Sequence, residues 1–92
     1  MSYEIVLTPK VLEDIQKLQK SGNKSALKKF NALIDELQEH PRTGTGQVEQ
    51  LKYYQEETWS RRLSGEHRLI YRINDEVVEV LVLSAFGHYN DK

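Results

Sequence analysis

The hydrophobic and polar positions of this chain follow a helical period in the first half and a strand-like period in the second. In the first half, apolar residues recur every three or four positions in two segments, which predicts two amphipathic helices. Their apolar faces are Val11, Leu12, Ile15 and Leu18, and then Leu27, Phe30, Leu33, Ile34 and Leu37. Thr8 before a proline predicts the start of the first helix. Gly22 predicts its end, and His40 before Pro41 predicts the end of the second helix.

Strand-like segments flank this pair of helices. An apolar run over residues 3–7 predicts one strand before the first helix. Residues 58–64, 68–74 and 77–86 are rich in β-branched, aromatic and arginine residues and are separated by turn signals, which predicts three more strands. The last of them is apolar at nearly every position, so we expect both of its faces to be covered. Residues 42–50 contain two glycines among small and polar residues and are predicted to form a loop.

The order of these elements predicts an α+β fold in a single domain over residues 1–92. An N-terminal strand and a helical hairpin precede a twisted, mainly antiparallel sheet of three to four strands. The helices should cover one face of the sheet and leave the other for function. Alternation along the strands turns Arg62 and Arg68 towards the open face, while Leu69 and Tyr71 face the helices. The face occupied by Arg61 stays ambiguous.

Composition narrows the possible functions. The chain has 92 residues, no cysteine and a formal net charge of −1, with an isoelectric point near 6.3. The absence of cysteine excludes disulfide scaffolds and thiolate metal sites. No apolar run reaches the ~20 residues of a membrane-spanning helix, and no signal-peptide pattern is present, so we expect a soluble cytoplasmic protein without a membrane partner. Binding to nucleic acid at this net charge would require that the cations cluster in space.

Three stretches carry most of the chemistry. Trp59 to Arg62 and Glu66 to Tyr71 place arginines on neighbouring strands, and His88 and Tyr89 follow near the end of the sequence. Guanidinium groups can hold a phosphodiester, and an imidazole can transfer a proton while it breaks. This combination predicts cleavage of a phosphodiester without a metal ion or another cofactor.

Four segments, Gly46 to Lys52 together with these three, resemble in order and spacing the YoeB/Txe toxins, a branch of the RelE-like bacterial toxins with a microbial-ribonuclease-like fold. The resemblance spans nearly the whole chain, including the helices. It implies a toxin of a type II toxin–antitoxin system that acts as an mRNA interferase. Such an endoribonuclease enters the ribosomal A site, cleaves the message there and stops translation.

The same resemblance implies roles for individual residues. The positions that match the family's functional residues are catalytic Glu49, Arg68, His88 and Tyr89 and RNA-binding Lys52 and Arg62. Glu49 would act as the base on the 2′-hydroxyl of RNA, and His88 as the acid that protonates the departing 5′-oxygen. Arg68 would stabilise the charge on the phosphoryl oxygens. The expected products are a 2′,3′-cyclic phosphate and a 5′-hydroxyl.

The expected partners follow from the resemblance as well. They are mRNA on the ribosome together with ribosomal RNA, and a YefM-like antitoxin that is disordered until it binds. The lysines expected to contact ribosomal RNA are Lys17, Lys20, Lys24, Lys28 and Lys29. A homodimer is plausible, and DNA would be contacted only indirectly, through the antitoxin.

Two functions from other classes stay open. A ParE-like toxin of the same fold would inhibit DNA gyrase by binding, and a non-catalytic module would bind only an antitoxin. Under such functions Glu49 would be a solvated charge, and the sheet arginines would be cross-strand partners of Glu66, Glu76 or Glu79. His67 is interpreted as a turn residue and His40 as a helix-end residue.

Overall fold

In the computed structural model, which describes residues 2–87, a five-stranded sheet carries two helices on one face. The elements are β1 (Glu4–Leu7), α1 (Pro9–Lys20), α2 (Lys24–Glu39), β2 (Glu49–Leu51), β3 (Thr58–Arg62), β4 (Arg68–Asn74) and β5 (Glu79–Ser84). The predicted α+β fold is therefore confirmed. Within residues 2–87, neither helix is long and apolar enough to cross a membrane.

The first helix begins after Thr8, as the sequence predicted, and both helices have a side-chain cap at their start. The Thr8 side chain accepts a hydrogen bond from the Val11 N–H at 3.3 Å, and the Asn23 side chain accepts one from the Ala26 N–H at 3.1 Å. These bonds satisfy backbone donors that have no partner inside the helix. The predicted apolar faces are buried or partly buried against the sheet, except that Leu12 is 49% exposed.

The strands lie in the order β1-β5-β4-β3-β2. β1 pairs with β5 in parallel, whereas the other three pairings are antiparallel. A parallel pair needs a long crossover between its strands. Here the helical hairpin lies in that connection and packs on the sheet, which explains why the first strand of the sequence joins the last.

Three strand predictions need correction. β2 lies partly inside the predicted loop 42–50, because Glu49 and Gln50 pair with Ser60 and Trp59 of β3. β5 begins at Glu79 instead of Val77, since Val78 adopts a left-handed φ of 53° in the turn before it. The apolar run was also expected to be covered on both faces. Only Val80 and Val82 are fully buried, because no helix of the described chain lies over the opposite face.

Arg61 lies on the helix side of the sheet, and its side chain is fully buried. Its Nη2 donates to the carbonyl oxygens of His40 at 2.6 Å and Thr43 at 2.8 Å, and its Nε donates to Tyr71 Oη at 3.0 Å. Its Nη1 forms a salt bridge with the Glu36 carboxylate. One guanidinium thus joins α2, two strands and the segment of residues 40–48 that connects α2 to β2.

Gly44 lies where this segment packs against the Glu36 side chain of α2. Its φ is +126°, and a Cβ there would collide with the Glu36 carboxylate that pairs with Arg61. Glycine is therefore required both by the backbone conformation and by the close approach of the carboxylate.

The environment of Glu36 predicts how stability depends on pH. Partial burial opposes the charged form, but hydrogen bonds from the Thr45 N–H and from Arg61 prevail and hold the pKa of Glu36 below its ordinary value of 4.5. A carboxyl group whose pKa is lowered by folding stabilises the fold above its unfolded pKa. That contribution is lost as the pH falls through the folded pKa.

We expect Glu36→Gln to lower the free energy of unfolding at pH 7 and to flatten its decline between about pH 5 and pH 3. Chemical denaturation across this pH range measures both effects. Glu39→Gln is the matched control, because Glu39 is an exposed residue of the same helix. An acid limb in Glu36→Gln as steep as that of the wild type would contradict the assignment.

Candidate active site

Pairing between three strands brings the candidate residues onto the open face of the sheet. Glu49 of β2 lies opposite Ser60 of β3, which in turn lies opposite Ile70 of β4. Directly opposed residues share a face, and so do residues two positions apart on one strand. Glu49, Ser60 and Arg68 therefore point to the same side, away from the helices.

Arg68 is held from beneath by the sheet. Its Nη2 and Nε lie 3.2 and 3.4 Å from the hydroxyl oxygen of Ser60, whose own side chain is fully buried. Nη2 also donates to the carbonyl oxygen of Gln47 at 3.4 Å and lies 3.8 Å from the Glu49 carboxylate. The Arg68 side chain is 16% exposed and that of Glu49 is 56% exposed. The cation is thus fixed, while the carboxylate is accessible to solvent.

These residues border an open cleft. Gln47, Val48, Glu49 and Arg68 line a volume of about 320 Å³. Gln47 has a φ of 52°, a conformation that is uncommon for a residue other than glycine, and its carbonyl oxygen accepts from Arg68. The cleft combines a fixed guanidinium, which suits an anionic group, with a carboxylate that could accept a proton.

Three arginines hold the segment that leads to Glu49. Arg61 holds the carbonyl groups at its start, as described above, and the Arg62 N–H donates to the Gly46 carbonyl at 2.5 Å. Arg42 reaches from the segment to the sheet, where it forms a two-point salt bridge with Glu57 at 2.6 and 2.9 Å. The hydrogen bonds from Arg42 lower the pKa of Glu57. Glu49 therefore follows a segment attached to the sheet at both ends.

The predicted RNA-binding residues lie in neighbouring clefts. Arg62 lies opposite Arg68 in the strand register and is exposed, and its Nε donates to the Ser64 carbonyl at 3.2 Å. Together with Lys29 and Gln47 it lines a cleft of about 470 Å³. Lys52 lines another cleft, with Tyr54. The structure thus brings Glu49 and Arg68 together and places Arg62 in a cleft that shares Gln47 with theirs, whereas the cleft lined by Lys52 shares no residue with it.

His88 and Tyr89 lie outside the described residues. The last described residue is Gly87, and its carbonyl oxygen accepts a hydrogen bond from the Arg68 N–H at 3.0 Å. The chain is therefore joined to the backbone of Arg68 at the residue that precedes His88 in the sequence.

Some contributors to the site were missed in the sequence. Ser60 could have been found, because alternation places it on the same face as Arg62. His67 lies in the turn between β3 and β4, as predicted, but its burial was missed: it is only 8% exposed, and its Nδ1 accepts from the Gly87 N–H at 2.8 Å. Its alternation with Leu69 and Tyr71 was the available signal. Gln47 had no comparable signal.

The partners of the sheet arginines also differ from the alternative that was considered. Arg61, Arg68 and Arg72 pair with Glu36, Glu49 and Glu56. Glu66, Glu76 and Glu79 form no salt bridge with them among residues 2–87. In the same described part of the chain, no cluster of three or more His, Asp or Glu side chains could hold a metal ion.

Known proteins match both the sequence and the fold. Residues 7–89 match the family model of the YoeB-like toxin of bacterial type II toxin–antitoxin systems. Toxin YoeB of Synechocystis sp. is 40% identical over 68 residues, which cover 74% of this chain and 77% of that protein.

Two solved structures from Staphylococcus aureus are similar over nearly the whole of both chains. The YoeB dimer has a TM-score of 0.79 at 30% identity and covers 97% of this chain and 100% of the other. The YoeB–YefM complex has a TM-score of 0.75 at 31% identity with the same coverage. With the sequence matches, these similarities show that the chain belongs to the YoeB-like toxins of bacterial type II toxin–antitoxin systems.

Proposed function

We propose that this toxin is a ribosome-dependent mRNA interferase, an endoribonuclease that cleaves mRNA in the ribosomal A site and so inhibits translation. The observation that carries the proposal is the Glu49 carboxylate 3.8 Å from the Arg68 guanidinium at the edge of an open cleft. A proton acceptor and a fixed cation are two of the groups that cleavage of RNA by its own 2′-hydroxyl requires.

The first step is the attack on phosphorus. Glu49 takes the proton from the 2′-hydroxyl, and the 2′-oxygen forms a bond to the adjacent phosphorus. The Glu49 side chain is more than half exposed, so it is accessible to a substrate that enters from solvent. Because RNA supplies the nucleophile, the protein needs neither a nucleophilic side chain nor a metal-activated water for this step.

Arg68 stabilises the charge that builds up on the non-bridging oxygens. Its guanidinium is planar and permanently charged, and its N–H groups match the geometry of a phosphoryl group. Contacts with Ser60 and Gln47 restrict its motion before substrate arrives. A donor that is already oriented loses little free energy to reorganisation during the reaction.

The second step is departure of the 5′-oxygen. In our proposal protonated His88 donates its proton as the bond from phosphorus to the 5′-oxygen breaks, and Tyr89 orients the phosphate or stacks on a base. These two roles rest on the family resemblance. The products are a 2′,3′-cyclic phosphate and a 5′-hydroxyl.

The charge distribution supports dependence on the ribosome. A chain with a net charge of −1 has little general attraction for RNA. Of the lysines expected to contact ribosomal RNA, Lys29 lines the cleft that also contains Arg62, and the exposed ones are Lys17, Lys20, Lys24 and Lys28. We propose that these lysines contact ribosomal RNA in the cytoplasm, and that Lys52 and Arg62 contact the message.

The same proposal includes protein partners. The YoeB–YefM complex and the YoeB dimer of Staphylococcus aureus have this fold. We therefore propose a YefM-like antitoxin that covers or distorts the open face of the sheet, and a homodimer of the toxin. Contact with DNA would occur only through the antitoxin.

Replacing members of the proposed set should reduce cleavage of mRNA on translating ribosomes. We expect losses of roughly 10²- to 10⁴-fold for Glu49→Gln and for His88→Ala, because each removes a proton-transfer group. Arg68→Lys should cost about 10²- to 10³-fold, because lysine lacks the planar set of donors. Mapping of 5′ ends on the message measures both the rate and the position of the cut.

Glu56→Gln and Arg72→Lys are matched controls, because their salt bridge, at 3.2 Å, likewise joins an arginine of β4 to a glutamate. They should cleave at close to the wild-type rate. Inhibition of gyrase by a wild-type protein that leaves mRNA intact would favour the ParE-like function instead. Inactivity in both assays would favour an antitoxin-binding module.

A message with a single 2′-deoxynucleotide tests the source of the nucleophile. If it replaces the nucleotide on the 5′ side of the mapped cut, cleavage at that bond should stop, because no 2′-hydroxyl can attack. A 2′-deoxynucleotide one position downstream is the control and should leave the cut in place. Cleavage that persists in the first message would show that water or another group attacks phosphorus.

A further inference from the structure

The segment after β5 packs on the imidazole of His67. The Gly87 N–H donates to Nδ1 at 2.8 Å, and the Phe86 ring stacks on the imidazole with 4.4 Å between centroids and 32° between planes. His67 is only 8% exposed, so this contact is shielded from bulk water. His67 thus offers this segment both a hydrogen-bond acceptor, Nδ1, and the face of its ring.

Residues 85–87 are each held by a different contact. The Ala85 N–H donates to the fully buried Asp14 carboxylate at 3.0 Å. Lys17 Nζ lies 5.5 Å from the centre of the Phe86 ring, on which His67 also stacks. Gly87 adopts a φ of +86°, which few residues other than glycine tolerate. The backbone is thus shaped to bring the Gly87 N–H to His67 and its carbonyl to Arg68.

The hydrogen bond specifies the protonation state of His67. Nδ1 can accept from an N–H only when it carries no proton, so the imidazole must be neutral with its proton on Nε2. Protonation of Nδ1 would place one donor against another and break the contact with Gly87. The charged groups around this arrangement are Lys17, Asp14 with its partner Lys10, and the chain neighbours Glu66 and Arg68.

We propose that neutral His67 is a positioning residue for the reaction, acting through Gly87 on the residue that follows it, His88. This inference rests on the proposed function. Gly87 is held on both sides: its N–H donates to His67 Nδ1, and its carbonyl oxygen accepts from the Arg68 N–H. The bond to His67 therefore fixes the chain relative to Arg68 immediately before the proposed acid. The two histidines then have opposite requirements, because His67 must be neutral while His88 is protonated.

Two substitutions separate the acceptor from the packing. His67→Asn offers a side-chain oxygen in place of Nδ1 but cannot titrate, whereas His67→Phe keeps a ring against Phe86 and has no acceptor. His40→Asn is the matched control, because the His40 side chain is exposed and only its backbone contacts Arg61. Cleavage on ribosomes is measured as kcat and KM from pH 5 to 8, and the Gly87 amide is followed by NMR in the free protein.

In His67→Phe we expect kcat to fall roughly 10- to 100-fold with KM within about twofold, because the acid is displaced while substrate binding is kept. The Gly87 amide signal should shift, and its hydrogen should exchange faster. In His67→Asn most of kcat should return, because its side-chain oxygen can accept from the Gly87 N–H. His40→Asn should match the wild type in rate and pH profile.

Wild-type kcat and an unchanged pH profile in His67→Phe would overturn the inference. Equal losses in both His67 variants would also overturn it, since packing alone would then explain them. If the wild type cleaves no message, the proposed function fails separately. The NMR measurement then tests whether His67 anchors Gly87 in the free protein. A Gly87 amide hydrogen that exchanges faster in His67→Phe than in His67→Asn would retain the anchor, and equal exchange in both would reject it.

Discussion

The structure depends on one buried cation. The Arg61 guanidinium is withdrawn from water, and such a charge is tolerated only when its donors are paired. Its partners are the Glu36 carboxylate, the Tyr71 hydroxyl and carbonyl groups of the segment after α2. These partners belong to α2, to β4 and to the segment between α2 and β2. Satisfying one side chain therefore fixes the helix, the segment and the strands relative to each other, and with them the approach to Glu49.

Neighbouring residues of one strand serve opposite purposes. In β3, Trp59 and Arg61 face the helices, while Ser60 and Arg62 lie on the other side of the sheet. Ser60 is buried beneath Arg68 and supports it, although its strand neighbour Arg61 belongs to the packed side. A two-residue period thus lets five consecutive residues build both the core and the floor of the candidate site. A shift of one residue in register would exchange the two arginines and destroy both.

The candidate site is assembled from segments far apart in sequence, and each has its own anchor. Arg61 and Arg42 hold the segment before Glu49, Ser60 holds Arg68, and His67 holds Gly87. A near-neutral protein that acts as proposed benefits from such preorganisation, because little attraction for RNA is available to compensate for misplaced groups. In this respect the proposed dependence on the ribosome and the rigid support of the site are consistent.

The sequence by itself determined the helices, the cap at Thr8, the paired strands β3 and β4 and the resemblance to the toxin family. The caps at Thr8 and Asn23 depend on hydrogen bonds to the residue three positions later in the chain. The alternation of faces along a strand depends only on residues one and two positions apart. Both features are therefore encoded locally. Only the tertiary structure decided the face of Arg61, the strand at Glu49 and the partner of His67. Each depends on a distant partner: 25 residues separate Arg61 from Glu36, and 20 separate Gly87 from His67. The hydrophobic period of the sequence cannot identify such partners. It indicates which side of a helix or strand is buried, but not which residue packs against that side.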